Sequence, residues 1–277
     1  MLARLAPHRH AVLTPYMRRL LSAMAARKPR QFAPLRPGAP SEGSPALQGV
    51  IFDVDGTLCK PQNYMFAEMR AVLGIPKSVD ILDHIYGLPT PEAREEAMES
   101  IRAIERTAMV NQVAQPGLVE LMRYLDSRNL PKGICTRNFQ QPVAHLLAKF
   151  LAGSRFEPVI TREFRPPKPH PAGILHIAKS WGLVTAAAAR QPAGAGGDDV
   201  DADVAADVTG LIMVGDSVDD MTAGRRAGAA TVLLMNEANA HLAEHDDTDL
   251  VITRLDDLIG ILEEGFKCRA TAPAVAA

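Results

Sequence analysis

Cysteine is scarce in this chain and badly placed for either of its structural uses. Three residues, Cys59, Cys135 and Cys268, are spread over 277 positions. An odd, widely spaced set excludes a disulfide framework and offers no zinc-ligand pattern. Cys59 and Cys135 stand beside the motifs described below, where redox-sensitive thiols are one alternative. We read them as small apolar fillers suited to a reducing compartment. Long apolar runs are lacking too. None approaches the roughly 20 residues that cross a bilayer as a helix, so no membrane partner is expected. Acid is missing from one stretch only: residues 1–41 contain no Asp or Glu but eight cations, Arg4, Arg9, Arg18, Arg19, Arg27, Lys28, Arg30 and Arg36. The formal charge of -2 therefore hides a body with 22 basic and 32 acidic residues, near -10. Such a body lacks the clustered cations that hold nucleic acid, and no nucleic-acid partner is expected either.

Hydrophobic residues make up 47% of the chain and charged residues 22%, the composition of a globular protein with a sizeable core. At its start, Tyr16–Ala26 (YMRRLLSAMAA) can form a basic amphipathic helix. An Arg- and Ala-rich, acid-free leader has the composition of a mitochondrial import presequence. The mitochondrial matrix is the expected location, with a disordered basic tail on a cytoplasmic protein as the alternative. Ala33–Pro45 (APLRPGAPSEGSP) reads as a Pro/Gly/Ser linker with no capacity to bury surface. Residues 1–46 are thus leader and linker, and the folded body is expected from Leu47.

Within that body, Gln48–Val54 is apolar without alternation, as in a strand buried on both faces. Lys132–Thr136, Pro158–Thr161, Leu211–Gly215 and Ala230–Met235 repeat the pattern, and Leu250–Thr253 does so more weakly. Helical periodicity falls between them at Leu118–Arg128, Pro142–Phe150, Ala172–Trp181 and Met221–Ala227, with a last helix at Leu255–Glu264. Strands alternating with helices imply a parallel sheet covered on both faces, whose ligand site forms at the carboxyl ends of strands where the strand order switches. Two segments break the alternation. Cys59–Gln115 is helical in pattern, with Pro91–Val113 its longest helix and acids in its first turns. Residues 185–208 are low in complexity and read as a disordered acidic insertion; residues 267–277 read as a disordered tail.

Four motifs stand at predicted strand ends. The first is Asp53-Val54-Asp55-Gly56-Thr57-Leu58. Carboxylates at i and i+2 point to one side of a strand, so one can attack phosphorus while the other supplies and removes a proton. Gly56 permits a sharp turn just past them. An ordinary Asp-Gly turn is the alternative, but a fully apolar strand feeding two acids favours a site. The second is Thr136-Arg137-Asn138, whose hydroxyl and backbone N–H groups suit phosphoryl oxygens; a helix N-cap explains it equally well in isolation. The third surrounds Lys168 with prolines, in Arg165-Pro166-Pro167-Lys168-Pro169-His170-Pro171. A lysine held there can offset the charge of a phosphate and a carboxylate cluster, or be a solvated loop residue; His170 reads as structural or exposed. The fourth is Gly215-Asp216-Ser217-Val218-Asp219-Asp220. Alone, Asp216 could cap the next helix. Facing a second acid pair, its carboxylate creates a repulsion that a divalent cation resolves. Mg²⁺ suits best, because it takes oxygen ligands and keeps waters that a phosphate can replace.

In this order and at these strand ends, DxDGT, Thr, Lys and GDxxxD make the chain resemble the haloacid dehalogenase-like hydrolase superfamily over roughly Gln48–Glu264. The resemblance implies an α/β fold: a three-layer Rossmann-like core with a parallel sheet (47–58 and 116–266) and a small all-helical cap inserted after the first strand (59–115). That is the arrangement of the phosphoglycolate phosphatase-like subgroup, and small plant and fungal hydrolases of that group are similar. It also implies roles. Asp53 becomes the nucleophile, Asp55 the general acid/base, Thr136 the phosphate-binding hydroxyl, and Lys168 the cation that steadies nucleophile and phosphate, with Arg137 and Asn138 beside it. Mg²⁺ would be held by Asp53, Asp216, Asp220 and the main-chain carbonyl of Val54, that of Asp55 being the alternative. Asp219 stands where Asn or a neutral residue is commoner, which leaves open which of Asp219 and Asp220 approaches the metal. Arg137 stands where a small residue is usual, and either reaches an anionic part of the substrate or makes a surface salt bridge.

An acid at Asp55 favours phosphoester hydrolysis over dehalogenation, because only the former has a leaving group to protonate. The expected function is a Mg²⁺-dependent phosphatase acting on a small phosphorylated metabolite through an aspartyl-phosphate. A phosphotransferase such as a sugar-phosphate mutase and a non-catalytic binding protein are the alternatives. Arg70, His84, Arg94 and Arg102 are the cap's candidates for contacting an anionic substrate, most of them expected to be solvated helix charges. Oligomeric state has no signal in the sequence.

Overall fold

A computed structural model describes residues 31–185 and 205–268. Its centre is a six-stranded parallel sheet of β1 (Gly49–Phe52), β2 (Lys132–Cys135), β3 (Val159–Ile160), β4 (Leu211–Gly215), β5 (Ala230–Leu234) and β6 (Leu250–Ile252), in the order β3-β2-β1-β4-β5-β6. The helices are α1 (Asn63–Leu73), α2 (Ile81–Gly87), α3 (Pro91–Val110), α4 (Leu118–Ser127), α5 (Gln140–Phe150), α6 (Ala172–Ser180), α7 (Val218–Ala227) and α8 (Asp257–Glu264). The strands lack polar alternation because both faces of the sheet are covered. Along β1, Val50 and Phe52 turn into one core with α4, α5 and α8. Ile51 turns into the other, with α6 and α7. The chain winds outward from β1 to β3, then returns to β4 on the other side of β1. The strand order therefore reverses between β1 and β4, and the crevice beyond their carboxyl ends is where such a sheet binds its ligand.

Helices α1, α2 and α3 form a separate layer over that crevice. Their apolar faces close on one another through Met65, Met69, Ile81, Ile85, Met98 and Ile101, joined by Phe139 from the sheet domain. Thr90 caps α3 by accepting from the N–H of Ala93 at 3.1 Å, with Pro91 in the first turn where its missing N–H costs nothing. The helix stops at Val110 rather than Val113. There Lys149 of α5 donates to the carbonyls of Val110 (3.2 Å) and Gln112 (2.9 Å), satisfying acceptors that a longer helix would have used.

Two boundaries differ from expectation for local reasons. Helix α7 starts at Val218 instead of Met221, because Ser217 and Asp220 form a reciprocal capping box. Ser217, not Asp216, is therefore the cap. The described fold also begins before Leu47. Phe32 is 2% exposed and packs on Phe266 with ring centroids 5.4 Å apart, while Leu35 N–H donates to the carbonyl of Leu262 at 2.8 Å. Prolines stop regular structure in this linker without stopping two apolar side chains from docking on the end of the core. At the other terminus Lys267 bridges to Gln31. The ends of the expected insertion are joined, Thr185 N–H to Ala205 carbonyl at 2.9 Å, and Val208 is buried against α6 and α7. The presequence reading, residues 186–204 of the insertion and residues 269–277 of the tail lie outside the described residues. No described helix is long and apolar enough to cross a membrane.

Phe52 is fully buried and meets Phe156 edge-on at 6.3 Å. Phe52→Ala is expected to lower unfolding stability by roughly 3–5 kcal/mol, read from the midpoint of a urea titration followed by circular dichroism.

Candidate active site

Asp53 is the first residue past β1, and its backbone N–H still donates across to Val214 of β4 at 3.0 Å. Sheet pairing thus fixes where its side chain begins. Asp216 is the first residue past β4 and faces it across the switch point. Gly56 is required twice over here. Its φ is +82°, and a Cβ at that position would collide with the Asp216 carboxylate. The turn after Asp53 closes on the carbonyl of Val54, which accepts from the N–H groups of Thr57 (3.2 Å), Leu58 (2.8 Å) and Cys59 (3.1 Å). That carbonyl points into the turn, so the expectation that it ligates a metal is corrected. The carbonyl of Asp55 accepts no hydrogen bond from the described residues and is the one left available.

Oxygens of Asp53, Asp216 and Asp220 all lie within 4.8 Å of one another. Asp220 is wholly buried: one oxygen pairs with Lys168, and the other accepts from Ser217 N–H (3.0 Å) and Oγ (2.7 Å). Lys168 also donates to Asp53 Oδ1 at 2.7 Å. The lysine therefore ties the nucleophile candidate to the buried acid, and its proline-rich loop delivers it at 5% exposure. What remains uncommitted is the second oxygen of Asp53 and the carboxylate of Asp216, which accepts no hydrogen bond from the described residues. An open Asp216 carboxylate beside Asp53, with a third acid behind them, is an oxygen-only set that fits a small divalent cation such as Mg²⁺. Asp219 stands outside this cluster, bonded to Arg137 at 2.9 Å.

Burial and like charge show in the acidities. Burial, opposed by Lys168 and helped by Asp220, pushes Asp53 up to about 7. Burial followed by Asp220 and Asp53 pushes Asp216 up to about 8. Burial also raises Asp55, against hydrogen bonds from Cys59 and Asn138 and the charges of Arg162 and Lys168. For Lys168 burial alone would lower the value, but Asp220 and Asp53 raise it above the lysine range. Burial first, then the nearby carboxylates, drive the thiol of Cys59 upward. Burial pushes Cys135 up to about 12, so both behave as fillers.

A cavity of about 750 Å³ opens over these groups, between the sheet edge and α1–α3. Asp53, Asp55, Thr136, Arg137, Asn138, Lys168 and Asp216 all line it; Asp220 lies behind. Asn138 Nδ2 donates to Asp55 Oδ2 at 2.8 Å, and Thr136 Oγ1 accepts from Asn138 N–H at 3.2 Å, its hydroxyl proton having no acceptor among the described residues. Arg137 is committed to two carboxylates, Asp219 and Asp80, the latter capping α2. Of the four cap candidates, Arg70 lines the cavity; Arg94 donates to the carbonyl of Leu88 and Arg102 pairs with Glu95. His84 is half-buried in α2 away from the cavity, and His170 is exposed, accepting from the N–H of Ala172 at 3.2 Å.

Among the lining residues outside the motifs, two pair with each other. Arg162, just past β3, forms a buried ion pair with Glu105 of α3. Its place at a strand's carboxyl end is the signal that marks it; Glu105 has none, being one acid among several on a charged helix. Burial raises the Glu105 carboxyl and lowers the Arg162 guanidinium, and the pairing opposes both shifts.

The family model of the haloacid dehalogenase-like hydrolases matches residues 47–228. An uncharacterized hydrolase of Saccharomyces cerevisiae is 42% identical over 226 residues, covering 80% of this chain and 92% of the yeast protein. A haloacid dehalogenase-like hydrolase domain-containing protein of Arabidopsis thaliana is 36% identical over 199 residues, covering 68% of this chain and 71% of that protein. Among solved structures, a predicted phosphoglycolate phosphatase from Haemophilus somnus superposes with a TM-score of 0.57 at 17% identity, over 78% of this chain and 97% of that one. At that identity the likeness shows the fold.

The acidities generate a test. The unfolded chain releases these carboxyl protons near pH 4, whereas the folded chain keeps those of Asp53 and Asp216 until about 7 and about 8. Between those limits the folded state binds more protons, so its stability falls as pH rises. Thermal unfolding of EDTA-treated protein is expected to show a lower Tm at about pH 8.5 than at about pH 6. Saturating Mg²⁺ should raise Tm more at the higher pH, where cation and protons no longer compete.

Proposed function

The chain belongs to the haloacid dehalogenase-like hydrolase family, and on that premise we propose that it hydrolyses small phosphomonoesters with Mg²⁺, through an aspartyl-phosphate on Asp53. The observation that carries the proposal is the division of labour between two carboxyls on one cavity wall. Asp53 has one oxygen fixed by Lys168 and one free. Asp55 is held by Asn138 in a setting that favours keeping a proton.

A divalent cation on Asp53, Asp216 and the Asp55 carbonyl would neutralise charge on the phosphoryl oxygens. The chain's own residues do the rest. The free oxygen of Asp53 attacks phosphorus in line, while Lys168 keeps the carboxylate oriented and balances part of the charge. Thr136 is placed to donate its hydroxyl proton to a phosphoryl oxygen. Asp55 protonates the leaving alcohol oxygen, then takes a proton from the water that hydrolyses the acyl phosphate. Its raised pKa suits the first step, since an ordinary aspartate would be ionised at pH 7. Met65, Met69 and Ile81 of α1 and α2 face the same cavity and limit access of bulk water.

Hydrolysis of p-nitrophenyl phosphate should require Mg²⁺ and stop in EDTA. Asp53→Asn is expected to lower kcat by at least about 10³-fold, and Asp55→Asn by about 10²–10⁴-fold, both variants retaining the wild-type circular dichroism spectrum. Wild-type rates in Asp53→Asn would contradict the assignment.

A further inference from the structure

The Glu105–Arg162 pair has a feature that ordinary buried ion pairs avoid. Arg162 is 6% exposed and Glu105 2%, yet Arg162 Nη1 and Glu105 Oε2 each lack a hydrogen-bond partner among the described residues. Everything else about the two groups is fixed. Arg162 Nη2 pairs with Glu105 Oε1, its Nε donates to the carbonyl of Arg137 at 3.0 Å, and its guanidinium lies 3.3 Å from the centre of the Phe139 ring. Buried polar atoms are nearly always satisfied. Two such groups, on ion-paired residues that both line the cavity, are the pattern of a site whose partner is a ligand.

The chemistry of the pair selects that ligand. It offers the N–H donors of Arg162 Nη1 and one carboxylate oxygen of Glu105, and the ion pair carries no net charge. A carboxylate or second phosphate only accepts, and would meet the Glu105 oxygen. An ammonium only donates, and would meet the Arg162 N–H. A hydroxyl does both through a single oxygen. The pair also lies close to where a leaving alcohol would sit, because Arg162 bonds the residue next to Asn138, and Asn138 holds Asp55.

Resting on the phosphatase reading, we infer that Glu105 and Arg162 bind a hydroxyl on the leaving alcohol, so the substrate class is a phosphomonoester of a polyol-like alcohol rather than of an alkyl or carboxylated one. The cap supplies Glu105 and the sheet domain supplies Arg162, so the hydroxyl is read only with the cap seated.

The test compares glycerol 3-phosphate, propyl phosphate and 2-phosphoglycolate with Mg²⁺, using p-nitrophenyl phosphate as reference. Wild type is expected to favour glycerol 3-phosphate over both others by at least about tenfold in kcat/KM. In Glu105→Gln and Arg162→Lys the glycerol-to-propyl ratio should fall toward one. Should either variant fail to fold, the volume-conserving double variant Glu105→Gln/Arg162→Met and the wild-type ratios still decide the matter. Hydrolysis of p-nitrophenyl phosphate with no wild-type preference, or a preference unchanged in the variants, would overturn the hydroxyl-reading role alone. No hydrolysis of any ester would overturn the phosphatase reading and this one with it.

Discussion

Three acids, Asp53, Asp216 and Asp220, converge on the carboxyl edge of β1 and β4, with one lysine between two of them, and the rest of the site answers to that conflict. The sheet cannot avoid it, since strand pairing sets both Asp53 and Asp216 at the switch point. Lys168 neutralises the buried side of the cluster, and breaking such a pair by removing one partner costs about 3–5 kcal/mol. Its loop is accordingly stiffened by prolines, and Asp220 is held from the other side by Ser217. Asp216 remains unbalanced. Burial first, then Asp220 and Asp53, raise its pKa, and the oxygen-only donor set fits a small divalent cation.

The same economy governs the seam between cap and sheet domain. Arg137 reaches from the end of β2 to Asp80 of the cap and Asp219 of α7, Arg162 reaches Glu105, and Arg165 lies 3.7 Å from the centre of the Tyr86 ring. Each is a cation of the sheet domain laid on an acid or aromatic of the cap. Apolar contact across the seam centres on Phe139, which packs into the cap's own small core. A seam built from charged contacts can part into water at less cost than one built from apolar area, because solvent takes over the hydrogen bonds. The cap is thereby able to admit an ester while still completing the cavity wall when seated.

Much of this was legible in the sequence, and the exceptions share a cause. Apolar strands ending in Asp53, Thr136 and Gly215-Asp216 predict the sheet and its active edge, because buried parallel strands leave no polar residue without purpose. Their places at the carboxyl ends of predicted parallel strands also predict that Asp53 and Asp216 meet. Sequence does not carry the direction of a carbonyl: Val54 is spent on three N–H groups of its own turn, which only the backbone path reveals. Partners 57 and 82 residues away decide what Arg137 does, and helical periodicity treats Glu105 as one more solvated acid. Phe32 and Leu35 were hidden by the prolines around them, whose composition reads as linker although the two side chains dock.

The proposed hydrolysis turns on a covalent bond between Asp53 and phosphorus. Its most direct measurement is to quench the enzyme during turnover of a phosphomonoester with Mg²⁺, reduce it with borohydride, and sequence the peptides by mass spectrometry. An acyl phosphate at Asp53 is reduced to homoserine, so homoserine at position 53, absent without substrate, is the predicted result. An unmodified Asp53 alongside homoserine at Asp55 or Asp216 would contradict it.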